Sequence, residues 1–293
     1  GFNNCHRHFP ELLQAVKRAV LAAGASERPL GFGGNDRPGG MLASAVRSYV
    51  NRFAVRPGVR IALFTNNDDG WRTAKALSDA GVDIAAVIDS RTEVSDNLRA
   101  MCPTARVITD GVVMATKGAP LRGITVRTRG ATETTETIAT DTLAVSGGWN
   151  PDVGLTCHHG MRPIWDDNLA AFVPGSKPPG LTVAGAANGQ MLLRECLQEG
   201  AEVGRTAAED SGFRTAGIAP PPVDGESFAV TPLWHVAGSR AFVDLQNDVT
   251  ADDVALAERE GFRSVEHLKR YTTLGMATDQ GKLSNVNGLA IMA

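Results

Sequence analysis

The densest stretch of functional side chains in this 293-residue chain lies near its C-terminal end. Lys269, Arg270, Thr272, Thr273, Gly275, Thr278, Gln280, Gly281, Lys282 and Ser284 follow closely on one another, with few apolar residues between them. A phosphate-sized anion asks for that mixture. Lys and Arg give charge, Thr and Ser give hydroxyl donors, and glycines let backbone N–H groups approach a ligand. The same composition also describes a solvated loop after a surface helix. Elsewhere no nucleophile–base pair and no carboxylate dyad with a clear role appears. Asp166-Asp167 and Asp252-Asp253 are sequence neighbours, so their side chains point apart on a helix or strand. No catalytic residue is assigned.

The elements that position this run can be read from its flanks. After Asp248 a helix is expected, with Thr250 as N-cap and with Asp252 and Asp253 facing the positive end of the dipole. Val254, Leu256 and Ala257 form its apolar side, and Gly261 stops it. A second helix, Ser264 to about Tyr271, ends in the cations Lys269 and Arg270. Residues 211–241 are rich in Pro and Gly and read as a linker, which leaves 242–293 as a separate helical appendage.

Further upstream the chain reads as nucleotide-fold scaffolding. VRIALF (59–64) is a continuous apolar strand of the kind found in a parallel sheet covered on both faces. The turn TNNDDG, the helix WRTAKALSDAG and the strand DIAAVIDS (83–90) complete a βαβ unit. Its turn should hold G-x-G-x-x-G. Counting back from Gly70, those positions are Thr65, Asn67 and Gly70, so only the glycine needed for close helix–strand packing remains. Asp68 and Asp69 put negative charge where two phosphates should sit. At about 4 Å a like-charge pair costs from ~1 kcal/mol in water to ~4 kcal/mol near a protein surface. The helix dipole offsets only about 0.3–1 kcal/mol of that. Asp89 holds the position of the ribose-binding acid, but one acid without a phosphate cradle makes no site. The cofactor site of this domain is read as lost.

Three other pieces frame that unit. Residues 11–25 finish in a short buried strand, Arg18 to Ala22, running into Ala23-Gly24-Ala25, where backbone can pass close to a ligand or a neighbouring strand. Met41 to Phe53 reads as a packing helix with Leu42, Ala45, Val46 and Tyr49 on one face. Short strands with Gly-bearing turns between Ala105 and Val145 suggest a small antiparallel layer before the return crossing at Ser146-Gly147-Gly148. LTVAGA (181–186) reads as another buried strand, with Asn188 and Gly189 capping a helix from Gln190 to Ala208.

The tail QNDVTADDVALAEREGFRSVEHLKRYTTLGMATDQGK resembles the alpha subunit of heterotetrameric sarcosine oxidase, and the likeness extends back through AVSGGWNP and NDRPGGMLASA. LAAGASERP is similar to the turn that closes the first nucleotide domain in flavoproteins of the glutathione reductase type. The expected fold class is therefore α/β, glutathione-reductase-like, with Rossmann-type three-layer sheet domains and a C-terminal α-rich appendage. The expected organisation is a first dinucleotide-binding domain at 1–57 and 149–210, an inserted nucleotide-fold domain with a degenerate site at 58–148, the linker at 211–241 and the FMN- and partner-contacting segment at 242–293.

In flavoproteins of this type the turn after the LTVAGA-like strand reads AGD, and its Asp holds the FAD ribityl chain. Here Ala186 stands in that place, so the site is either empty or holds a dinucleotide without a ribityl chain. The resemblance implies NAD there, with Ala23, Gly24, Ala186, Ala187, Asn188 and Leu192 as candidate contacts. It implies FMN shared with a beta subunit, with Lys269, Arg270, Thr272, Thr273, Thr278, Gln280 and Lys282 as candidates for the alpha chain's part of the grip. FAD is implied on the partner subunit, and beta, gamma and delta subunits as partners. The implied reaction is oxidative demethylation of sarcosine with O₂ and tetrahydrofolate. The folate domain and the first G-x-G-x-x-G are expected outside this segment, which reads as a piece of a longer chain. Two rivals stand beside this reading: an alpha subunit of an opine or proline dehydrogenase, and a non-catalytic nucleotide-fold scaffold.

Composition narrows the field further. The chain is 43% hydrophobic and 21% charged, with 29 Lys and Arg against 32 Asp and Glu, a net charge of −3. That balance argues against nucleic acid as a partner. No apolar run approaches the roughly 20 residues of a membrane span. Cys5, Cys102, Cys157 and Cys196 form no CxxC pair and read as reduced thiols of a cytoplasmic protein. His6, His8, His158 and His159 are not joined by a second cluster at metal spacing, so no metal is assigned.

Overall fold

The computed structural model describes residues 17–130 and 132–293, with residues 158–160 as backbone only. Cys5, His6, His8 and the start of the expected 11–25 segment lie outside the described residues, as do the side chains of His158 and His159.

In chain order, β1 (Ala19–Leu21) and β2 (Ala25–Glu27) are followed by β3 (Gly40–Leu42) and α1 (Ala43–Phe53). Next come β4 (Arg60–Thr65), α2 (Asp68–Asp79), β5 (Asp83–Asp89), the short α3 (Asp96–Ala100) and β6 (Val107–Ile108). Three further strands, β7 (Gly111–Lys117), β8 (Gly123–Thr128) and β9 (Thr134–Ala139), lead to β10 (Thr142–Ser146). After these lie β11 (Trp149–Pro151), β12 (Ile164–Asp166), β13 (Ala171–Val173), β14 (Leu181–Val183) and α4 (Leu193–Asp210). The chain closes with β15 (Phe242–Asp244), β16 (Val249–Thr250), α5 (Ala251–Arg259), α6 (Val265–Thr272) and α7 (Asn285–Met292).

These elements form two compact units, one of residues 17–26 with 149–228 and one of 27–148 with 229–293. The second unit is built on a parallel sheet ordered β3-β10-β4-β5-β6. β4 shows how the sequence makes it. Ile61 and Leu63 join one core cluster with Ala43, Val46, Trp71 and Leu77 of the two helices. Ala62 and Phe64 point the other way, into a cluster with Val113, Ile124, Val126 and Ile138 of the antiparallel β7-β8-β9 layer. Period-two alternation with apolar residues at every position requires cover on both faces, and both are covered.

The compact units cut the chain at places other than the expected domain boundaries. Residues 27–57 fall in the second unit, because β3 pairs with β10 and α1 packs over Ile61 and Trp71. The face of α1 also differs from expectation. Ala43 and Val46 are buried, whereas Tyr49 is 45% exposed.

In the first unit, β1 pairs in parallel with β14, and Leu21, Leu181, Val183 and Ala187 share a small core. α4 starts at Leu193 rather than Gln190, since Gly189 (φ +89°) adopts a left-handed conformation that breaks the chain's direction first. None of its residues is buried.

The tail has a core of its own: Val243, Val249, Val254, Ala257, Leu268 and Leu274, with Phe262, Ile291 and Met292 against it. Its strand is nevertheless held to the second unit by the Asn35 side chain, which accepts from Phe242 N (2.9 Å) and donates to Phe242 O (2.8 Å). Asn287 of α7 donates to Pro29 O at 2.9 Å. Among the described residues no helix is long and apolar enough to cross a membrane, and no group of His, Cys, Asp and Glu could hold a metal.

Candidate functional site

The tail candidates gather around one loop, 273–284, pinned between α6 and α7. Thr250 caps α5 as a full capping box: Asp253 N donates to Thr250 Oγ1 (3.2 Å) and Thr250 N donates to Asp253 Oδ2 (2.8 Å). Asp244, buried at the end of β15, then organises the loop. Its Oδ1 accepts from Gln246 N and Asn247 N, and its Oδ2 accepts from Gly275 N (2.8 Å). Asn285 sits between Gly275 and Gly281, at both of which a Cβ would collide with its side chain.

Most of the candidate hydroxyls and amides hold the loop itself. Thr272 donates to Leu268 O (2.8 Å) and accepts from Leu274 N. Thr273 donates to Thr272 O, Thr278 to Gln246 Oε1 (2.8 Å) and Gln280 to Ala277 O (2.8 Å). Lys269 and Arg270 differ from them. They stand in the last turn of α6, where the dipole favours cations, and among the described residues neither has a carboxylate partner. Arg270 and Lys282 are exposed and Lys269 is half-buried.

A second group of candidates meets at the C-terminal ends of β1 and β14, the ends at which open parallel sheets take ligands. Ala184 N donates to Leu21 O at 2.9 Å, so the turns Ala23-Gly24 and Gly185–Asn188 leave the two strands side by side. Gly24 takes φ +77°, and a Cβ there would meet nothing, so that backbone is open on its outer side. Ala187 is fully buried in the small core and packs rather than reaching outward. Leu192 is the N-cap of α4 and half-buried. Asn188 is fixed by two partners: it accepts from Lys177 Nζ (2.9 Å) and donates to Glu199 Oε1 (2.6 Å). Glu199 Oε2 accepts from Gly185 N (2.6 Å). Lys177 and Glu199 carry no spacing that sequence reading could have found.

The third region is the βαβ turn of the second unit. Asn67 caps α2, its Oδ1 accepting from Asp69 N (3.0 Å) and Gly70 N (3.3 Å). Its amide donates to Ser146 O and Oγ, both at 3.1 Å. A Cβ on Gly70 would collide with Thr65, so this glycine serves close packing of α2 on β4. The charges of the turn are answered inside the protein. Arg91 Nη1 reaches Asp68 Oδ1 at 2.6 Å, and Nη2 reaches Asp89 Oδ2 at 2.7 Å. Trp71 Nε1 donates to Asp89 Oδ2 at 2.7 Å, while Arg47 and Arg72 hold Asp69. Burial alone would weaken the Arg91 charge, but Asp89 and Asp68 outweigh it and hold the guanidinium above its ordinary value. Arg91 was not singled out from the sequence; its position two residues beyond Asp89 is the only cue.

Close by, Glu27 is buried under the N-terminus of α1. Its Oε2 accepts from Ser44 N at 2.7 Å, and Oε1 has no partner. Burial pushes its carboxyl up to about 7, against hydrogen bonds from Ser44 and Ser146 that lower it, with Asp69 adding to the rise.

Comparison with known proteins bears on all three regions. The sarcosine oxidase A3 domain family matches residues 238–293. Over 281 residues, 94% of this chain, the sequence is 46% identical to the sarcosine oxidase subunit alpha of Rhizobium meliloti (strain 1021) and spans 28% of that protein's length. Among solved structures, the L-proline dehydrogenase of P. horikoshii superimposes with a TM-score of 0.65 at 19% identity, over 94% of this chain and 52% of that one. The thioredoxin reductase of T. acidophilum superimposes with a TM-score of 0.53 at 15% identity, over 68% of this chain and 67% of that one. At these identities the structures speak for the fold, and the glutathione-reductase-like α/β architecture expected from the sequence is the one found.

Proposed function

We propose that this chain, related over nearly all of its length to sarcosine oxidase alpha subunits, is the nucleotide-fold and flavin-contacting portion of such a subunit. It spans under a third of the related subunit, so the activity belongs to a larger assembly. In that assembly the chain works with beta, gamma and delta subunits on the oxidative demethylation of sarcosine to glycine. FAD on the beta subunit and FMN shared with this chain would supply the redox chemistry, with O₂ as the electron acceptor and tetrahydrofolate as the one-carbon acceptor. The products are glycine, hydrogen peroxide and methylene-tetrahydrofolate.

The observation that carries this reading is the pair Lys269 and Arg270, two cations with no carboxylate partner among the described residues, beside a loop already braced by its own hydroxyls. An unanswered positive pair on a rigid support suits a phosphate dianion, since little side-chain ordering is left to pay for on binding. FMN would supply electron transfer there; Lys269 and Arg270, with Lys282, would hold its phosphate. Thr272, Thr273, Thr278 and Gln280 would act by shaping the loop.

NAD is assigned to the ends of β1 and β14. Gly24 has open space on its outer side, Ala23 is exposed and Ala186 half-buried beside it, and Asn188 is held in place by Lys177 and Glu199. Ala187 supports that turn from beneath, and Leu192 flanks it. No Asp stands at Ala186 to grip a ribityl chain, which favours a nicotinamide dinucleotide over FAD. On this reading the chain's role is to bind and orient cofactors. Replacing Lys269, Arg270 and Lys282 together with Ala in the assembled enzyme should abolish FMN retention while FAD on the partner stays. Unchanged FMN content would overturn the assignment.

A further inference from the structure

In a nucleotide-type fold a dinucleotide lies across the N-terminus of the first helix and the end of the second strand. In the second unit every group that would grip it already has an intramolecular partner. The N–H groups of Asp69 and Gly70 are taken by Asn67, and the carboxylate of Asp89 is taken by Arg91 and Trp71. The remaining donor, Asp68 N, gives its hydrogen bond to Ala229 O at 3.1 Å. That carbonyl comes from the far side of the linker and stands where a phosphate oxygen would.

The segment behind it is locked in place. Thr231 N donates to Asn66 O (2.9 Å), and Asn66 Nδ2 donates back to Thr231 O (2.8 Å). Val230 bridges Asn67 in antiparallel fashion, and Arg91 Nη1 adds a contact to Ala229 O at 3.3 Å. The buried carboxylates Asp68 and Asp89, both paired with Arg91, also disfavour a diphosphate at this turn. From this anchor the chain stays zipped along the same unit. Gly31 N donates to Trp234 O, Val236 N to Gly31 O, and Asn35 grips Phe242 at the first residue of the tail.

We propose that the second nucleotide-type fold has exchanged its dinucleotide for the chain's own segment 229–231. The former cofactor crevice is thereby the dock that fixes the start of the tail 242–293. Arg91 is the positioning residue of this dock, holding Asp68 and Ala229 together. The consequence for FMN rests on the function proposed above; the docking itself does not.

The test uses the assembled enzyme that contains this chain, followed by hydrogen exchange. Thr231→Pro removes one latch N–H at a position that already precedes Pro232 and is therefore biased to extended backbone, and it leaves the buried ions alone. The expected result is at least tenfold faster exchange of the amides of Val230, of 233–236 and of Asp68, with β4 and β5 unchanged. Arg91→Ala should do the same, and Thr231→Pro stands alone if that variant does not fold. Unaltered exchange of Val230 and 233–236 would overturn the dock. Titration with ADP-ribose adds a second arm: binding at the end of β4 and β5 in the wild-type enzyme, read as new protection of 66–70, would also overturn it. Exchange that rises while FMN stays bound leaves the dock standing and counts against the tail as an FMN site.

Discussion

Glu27→Gln isolates one buried acid and reads its cost through pH. Glu27 is 3% exposed, and burial moves its carboxyl from 4.5 up to about 7. Below about pH 4.5 it is protonated whether the chain is folded or not. Between that pH and about 7 the unfolded chain ionises first, so stability falls as pH rises. Above about 7 the loss is complete. At about 1.4 kcal/mol for each tenfold change in proton affinity, the full span is about 3 kcal/mol. Gln keeps an acceptor for Ser44 N and never ionises, so it should resemble the protonated acid at every pH. Urea denaturation of both proteins at pH 5, 6, 7 and 8, followed by fluorescence of the buried Trp71, gives the difference directly, and titrations elsewhere cancel. Glu27→Gln should exceed wild type by less than about 1 kcal/mol at pH 5 and by about 3 kcal/mol at pH 8. A difference that stays flat across this range would refute the argument that burial of Glu27 outweighs its hydrogen bonds to Ser44 and Ser146.

Two further results are expected. Thr250→Ala removes the capping box of α5 and should lower the stability of the tail by about 1 kcal/mol, read as faster amide exchange in 251–259. Cys102 is buried and its thiol is pushed up to about 11, so a thiol reagent at pH 8 should reach it only after denaturant is added, while Cys157 labels in the folded protein.

What the sequence disclosed follows physical lines. β4, α2 and β5 were legible because apolar alternation, an Asn cap and Gly70 all act locally, and so was α5 with its Thr250 and Asp253. The fault in the dinucleotide turn was legible too, since Asn67, Asp68 and Asp69 stand in the turn itself. The partners of those acids were not. Arg91, Arg47 and the carbonyl of Ala229 arrive through tertiary packing, and no spacing announces them. α7 was not legible because Asn285–Met292 is short and its apolar residues do not fall on one face, which hides a helical period. Tyr49 was assigned to the core face of α1, and the choice failed because the stripe runs through Ala43 and Val46 at a slightly different angle. Among the site candidates, residue type alone could not separate Thr272 and Thr278, which brace the loop, from Lys269 and Arg270, which have no carboxylate partner among the described residues.

The central claim is that this chain holds two cofactors, NAD at the ends of β1 and β14 and the FMN phosphate beside α6. The assembled enzyme, wild type and with Lys269, Arg270 and Lys282 replaced by Ala, should be denatured and the released nucleotides quantified. The account predicts NAD and FMN in equal amounts from the wild type, and NAD without FMN from the variant. A wild-type enzyme that releases FMN but no NAD, or a variant that retains its FMN, would contradict it.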